Sequence, residues 1–158
     1  MPRYFYPGLL LLTVGSVGLA ALFFYRTPPF STGHFPRGEF GGMSLRIEFA
    51  TTSAAREKGL GGRKIIPSDY GMLFVFPKDD YYGFWMKDTL VPLDMFWLDD
   101  KGQVVYTARD VATSSYPNVF YPPTPARYVL ETAAGFAGAH GIATGTPLIL
   151  QNWPSVSE

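Results

Sequence analysis

Residues 81–94 hold the densest cluster of potentially reactive side chains in this chain. Lys87, Asp88, Thr89 and Asp94 fall within eight positions, and Trp85 lies two residues upstream of Lys87. An amine, two carboxylates and a hydroxyl can exchange protons or hold a polar ligand, and an indole face offers that ligand an apolar platform. On an extended backbone Phe84 and Met86 point to one side, Trp85 and Lys87 to the other. The same residue types also make an internal ion pair with an Asp/Thr turn cap, a reading of about equal weight.

Other chemistries find little support. The chain of 158 residues balances thirteen Lys/Arg against thirteen Asp/Glu with only 16% charged residues, so it lacks the cationic surplus of a nucleic-acid binder. It has no cysteine and two histidines, which removes disulfides, thiolate nucleophiles and the commoner zinc and iron–sulfur sites; no cofactor or metal is expected. The glycine-rich segment at residues 59–64 has neither the dinucleotide spacing nor the Gly-Lys-Ser/Thr ending of a phosphate loop, and reads as a helix exit. No Gly-x-Ser-x-Gly elbow occurs. His34 sits in a Pro/Gly-rich stretch without partners, and His140 suits a helix C-terminus.

The elements that must position residues 81–94 are mostly strands. Met43, Leu45, Ile47 and Phe49 alternate with smaller or polar residues, the period of a strand with one buried face. Thr52 or Ser53 can cap a short helix that Gly59 stops. Residues 71–76 form an apolar run ended by Pro77, a strand buried on both faces. Residues 84–87 and 93–98 read as two more strands, and Asp99-Asp100-Lys101-Gly102 joins 93–98 to 103–108 as a hairpin. Four prolines within residues 117–125 mark a constrained loop. Extended structure resumes over 127–132, one or two helical turns follow over 133–140, and a last strand spans 147–151. The expected fold is mainly β with some α: a compact barrel-like or strongly bent, mostly antiparallel sheet with two short helices, over residues 43–153, followed by a tail at 154–158.

Residues 4–25 carry no charge over twenty-two positions, roughly 30 Å as a helix, enough to span a bilayer. The run exceeds a usual signal-peptide core, so residues 1–26 are expected to be an uncleaved, single-pass membrane anchor, with export after cleavage as the alternative. The C-terminal domain is expected outside the cytoplasm. Residues 27–42, with three prolines and four glycines, read as a semi-extended tether.

Three ordered segments carry a family resemblance. They are Gly71-Met72-Leu73-Phe74-Val75-Phe76-Pro77; then Phe84-Trp85-Met86-Lys87-Asp88-Thr89 with Pro92-Leu93-Asp94; then Pro125-Ala126-Arg127-Tyr128-Val129-Leu130-Glu131 with Gly135. Over roughly residues 43–151 the chain resembles domain-of-unknown-function family 192. The resemblance implies a small β-rich domain, often behind a signal peptide or membrane anchor, and implies no particular reaction. Its polar motif residues fall on Arg63, Trp85, Lys87, Asp88, Thr89, Asp94 and Glu131, which become the candidate ligand-binding set. Gly61 stands where a methionine is typical, Asp88 where an asparagine is typical, and residues 114–121 lack the cysteines many members carry. The first functional expectation is a membrane-tethered, extracytoplasmic binding or interaction domain for a small polar or glycan-like ligand. The alternative is an acid/base hydrolase or lyase using Lys87, Asp88, Asp94 and Glu131.

Overall fold

Apolar alternation and glycine-marked turns organise residues 35–157, the part of the chain that the computed structural model describes, into a mainly β unit with two short helices. The strands are β1 (Arg37–Phe40), β2 (Met43–Ala50), β3 (Tyr70–Asp80), β4 (Leu93–Leu98), β5 (Val104–Val111), β6 (Ala126–Ala133) and β7 (Leu148–Leu150), with α1 over Ser53–Lys58 and α2 over Phe136–Ala139. They form one sheet in the order β5-β4-β6-β3-β2-β1-β7. Every neighbouring pair is antiparallel except β2 and β3, which run parallel because α1 and its exit loop carry the chain across. The sheet curls strongly into a half-barrel, so its two ends meet at one corner. There Val104 N–H donates to Thr146 C=O and Leu148 N–H to Gly102 C=O, beside a bridge between Gln103 and Pro147.

The expected turn chemistry holds at α1. The Thr52 hydroxyl accepts from Ala55 N–H at 3.1 Å, and Gly59 ends the helix at φ 48° while donating to Ala55 C=O. The 93–98/103–108 hairpin is β4–β5, joined through Asp99, whose carboxylate accepts from Lys101 and Gln103 N–H.

Four sequence expectations shift. Residues 37–40, within the expected tether, form β1, which pairs on both sides and sends Phe40 into the core against Phe96 and Phe136. Gly41 and Gly42 both take positive φ to make its tight turn, so glycines that suggest a linker serve a hairpin. Strand β3 continues past Pro77, because the register with β6 shifts between Val75 and Asp80 and no ladder bond is required from the proline. Residues 84–87 are no strand: Phe84 makes one isolated bridge to Phe120 and the rest is loop. In the expected tail, Ser157 bonds Thr51 through both backbone and hydroxyl, and Val156 packs on the core.

Among the described residues no helix is long and apolar enough to cross a membrane. The anchor expected at residues 1–26 lies outside them, as does the tether up to residue 34.

Both faces of the sheet are covered. The concave core gathers Leu45, Ile47, Leu73, Phe96 and Leu130 with Phe136 from α2. On the opposite face Met72, Phe74 and Trp97 lie under the covering loops, where Phe84 sets its ring edge-on to Phe74 at 4.8 Å and Trp97 at 5.8 Å. Register assigns the acidic residues to these faces. Asp94 aligns with Thr132, which aligns with Gly71 and then Ile47, on the core side. Met95 aligns with Glu131, Met72 and Glu48, on the covered side.

Candidate functional site

The loop over residues 81–92 is held down by its buried alternate side chains. Phe84 and Met86 are buried, whereas Trp85 is 50% exposed and Lys87 points outward, as alternation predicts. Phe84 exchanges both backbone hydrogen bonds with Phe120, and Trp97 Nε1–H donates to Tyr82 C=O at 2.8 Å. Gly83 leaves no room for a side chain, since a Cβ there would stand 2.5 Å from the Tyr121 ring. These ties set the loop as one wall of a cleft. The facing wall is α1 and its exit, fixed by Arg56, which donates to Thr51 and Val75 carbonyls and lies over the Phe76 ring at 5.4 Å.

Between the walls is a cavity of about 260 Å³, lined among others by Arg56, Lys58, Trp85, Lys87 and Thr89, with Glu131 at its floor. It opens beside a wider groove of about 590 Å³ that shares Trp85, Lys87 and Lys58 and adds Asp88. Glu131 is only 4% exposed, its carboxyl forms no hydrogen bond or ion pair among the described residues, and what access its oxygens have is from the cavity. Burial pushes its pKa up to about 8, against a smaller opposing pull from the Arg63 charge. The floor of the cleft is therefore a neutral carboxylic acid at pH 7, able to donate as well as accept.

Of the seven candidate residues, Trp85, Lys87, Thr89 and Glu131 share the cavity, and Asp88 joins Trp85 and Lys87 in the adjoining groove. Arg63 is tied elsewhere, to both oxygens of Glu48 at 3.0 Å and to the Tyr70 hydroxyl at 2.7 Å. Tyr70 donates to the same Glu48, and its pKa is raised by burial and by that bond. Asp94 stands apart from the cleft on the other face of the sheet. Its two oxygens accept from Asp110 N–H and Ala137 N–H, each at 2.7 Å. It joins the β5 irregularity to the start of α2 and cannot share a ligand with Glu131. Among the described residues no three acidic or histidine side chains converge to hold a metal.

The family model of DUF192, described as Uncharacterized ACR, matches residues 37–150. The chain belongs to DUF192. Two solved structures resemble it. One, from Sinorhizobium meliloti 1021 and provisionally named a transcription regulator, is 30% identical, covers 71% of this chain and 88% of its own, and superposes with a TM-score of 0.66. The other, a protein of unknown function from Novosphingobium aromaticivorans DSM 12444, is 28% identical over 74% of this chain and 84% of its own, with a TM-score of 0.65. Among curated proteins none matches significantly.

The DUF192 match begins at β1, six residues before the segment that resembles the family by motif, in keeping with a strand there. Sequence reasoning missed Glu48, the partner that positions Arg63, and it placed Arg56 and Lys58 only within the short helix that Gly59 stops. Their proximity to residues 85–89 depends on the β2–α1–β3 crossover, for which no local pattern is a signal. Tyr116, whose place beside loop signals already suggests a surface aromatic, meets the Trp85 ring at 6.0 Å from the edge of the proline-rich loop.

Proposed function

We propose that this DUF192 chain is a binding domain for a small polar or glycan-like ligand, held in the cleft between α1 and the loop over residues 81–92. The observation that carries the reading is Glu131: a carboxyl with no partner, buried at the floor of a cavity that opens to solvent. A carboxyl that bonds no protein group and is reached only from the cavity keeps its hydrogen-bonding capacity for whatever enters the cleft, and a ligand can supply that partner. Trp85, half exposed on the rim and braced by Tyr116, suits the apolar face of a sugar ring. The acid/base alternative draws less support, because Asp94, one of its four residues, lies on the opposite face with both oxygens engaged, which leaves Glu57 on the rim and Asp88 in the adjoining groove as the other carboxylates lining the cleft. The charge-free run at residues 4–25 would tether the domain to a membrane with its C-terminal part outside the cytoplasm, and compartment-specific reporters fused to the C-terminus test that address.

Thermal melts of the full-length chain with a panel of mono- and disaccharides test the binding reading, since a specific ligand raises the midpoint by mass action. A hit should lose its effect in Trp85→Ala and in Glu131→Ala. Hits that shift both variants as much as the wild type would place binding elsewhere and defeat the reading.

A further inference from the structure

We propose that the cleft selects a small hydroxylated acid of the sugar-acid class, its carboxylate set between Lys58 and Lys87 and a hydroxyl reaching the Glu131 carboxyl. The inference rests on the cleft being a ligand site and names what that site prefers. Lys58, at the C-terminal end of α1, and Lys87, on the loop across from it, line the same cavity from opposite walls. Neither lysine forms an ion pair among the described residues, while Arg46, Arg63, Lys78 and Arg127 all do.

The charge balance of the lining favours an anion. Arg56, Lys58 and Lys87 face one rim carboxylate, Glu57, and the adjoining groove adds Asp88. Glu131 does not offset the cations at neutral pH, because burial keeps its carboxyl protonated up to about pH 8. One net positive charge therefore remains for a ligand to match. The neutral acid below can donate to, or accept from, a ligand hydroxyl, a contact that a bare inorganic anion does not use fully. Size limits the ligand as well. At about 260 Å³ the cavity is smaller than the roughly 300–1,000 Å³ of sites for drug-sized molecules, so one sugar-sized unit fills it. Trp85 then covers the ring's apolar face.

Calorimetric titration of the purified full-length chain at pH 6.5 with D-glucuronate, D-glucose and inorganic phosphate tests the proposal. Glucuronate should bind about tenfold tighter than glucose. Each of Lys58→Gln and Lys87→Gln should weaken glucuronate about threefold, as expected for solvent-facing charge pairs, and the double variant should erase the preference. Raising the salt concentration should narrow the same gap. Equal affinity for glucose and glucuronate, unchanged in the lysine variants, would overturn the acid preference and leave the cleft as a site for neutral sugars. Phosphate binding as tightly as glucuronate would overturn the hydroxyl contact and reduce the site to a bare anion cradle. Failure of all three probes to bind at millimolar concentration would overturn both this proposal and the binding reading beneath it.

Discussion

Asp94 and Glu131 are both buried carboxyl residues on neighbouring strands of one sheet, yet the sheet treats them in opposite ways. Asp94 faces the core, where two backbone N–H groups meet its two oxygens at 2.7 Å. Glu131, across the sheet and one register step away, faces the loop-covered side and meets no donor. A strand period of two sends adjacent rows to different surroundings, so two acids on neighbouring strands serve two ends. One closes a structural joint. The other keeps its hydrogen-bonding capacity open to a cleft.

The difference predicts opposite responses to mutation. Asp94→Ala leaves the buried Ala137 N–H and the part-buried Asp110 N–H unpaired, and at about 1–3 kcal/mol for the first and less for the second the domain should lose about 3 kcal/mol, read from denaturant unfolding. Asp94→Asn keeps one good acceptor and should lose about half as much. A loss below about 1 kcal/mol for Asp94→Ala would mean that the joint is not carried by these bonds.

Glu131→Gln should instead stabilise, and only in part of the pH range. Its folded pKa of about 8 lies above the ordinary 4.5, so between those values the folded chain holds a proton that the unfolded chain has released. Stability of the wild type should fall as pH rises through that window and level off above it. The glutamine variant lacks this contribution. The two should differ little near pH 4.5, and the variant should lead by about 3 kcal/mol at pH 8.5, a value kept below the full linkage figure of about 1.4 kcal/mol per unit because water enters the cleft. Parallel stability–pH curves for the two proteins would show that Glu131 titrates normally.

Arg63 sharpens the comparison from the covered side. It is the charge that opposes the rise of the Glu131 pKa, and it is also fixed by Glu48 and Tyr70. Arg63→Met should cost about 1–2 kcal/mol, because the pair is part-exposed and the Tyr70 hydroxyl keeps Glu48. The same change should move the Glu131 titration, followed by carboxyl NMR, to higher pH. A lower titration point would assign the coupling to another group.

How far the sequence discloses all this depends on whether the signal is local. Alternation in residues 43–50, the Thr52 cap and the Asp99–Gly102 turn are short-range, and each element stands where these signals put it. Alternation also separates buried Phe84 and Met86 from exposed Trp85 and Lys87, although the segment is a loop and not a strand, because Phe120 is the single bridge partner that reaches it. The face of Asp94 relative to Glu131 is a matter of register between β4 and β6, thirty-seven residues apart in sequence, and no local pattern states it. Proximity in sequence to Lys87 was therefore a misleading guide for Asp94. β1 was hidden because a four-residue strand flanked by Pro36 and two glycines has the composition of a linker, and its two partners lie elsewhere in the chain.

The smallest expected effect is at Asp88, where the family resemblance implies an asparagine. Asp88 takes φ 54°, in the left-handed region, and its carbonyl accepts from Gly62 N–H at 2.8 Å, which joins the two walls of the cleft. Asparagine and aspartate enter that region more readily than other residues with a Cβ, since their short polar side chains can bond locally. Backbone conformation thus explains why either residue serves at this position, and the carboxylate is not required for the fold. Asp88→Asn should leave stability within about 0.5 kcal/mol of the wild type, whereas Asp88→Val, β-branched and disfavoured at positive φ, should cost about 1–2 kcal/mol. Both substitutions remove one negative charge from the groove beside Lys87. If the cleft prefers an anion, Asp88→Asn should tighten glucuronate slightly with no change in the melt of the free protein. A melt lowered by the asparagine as much as by the valine would show that the carboxylate itself holds the walls together, and position 88 would then belong with Asp94 and not with Glu131.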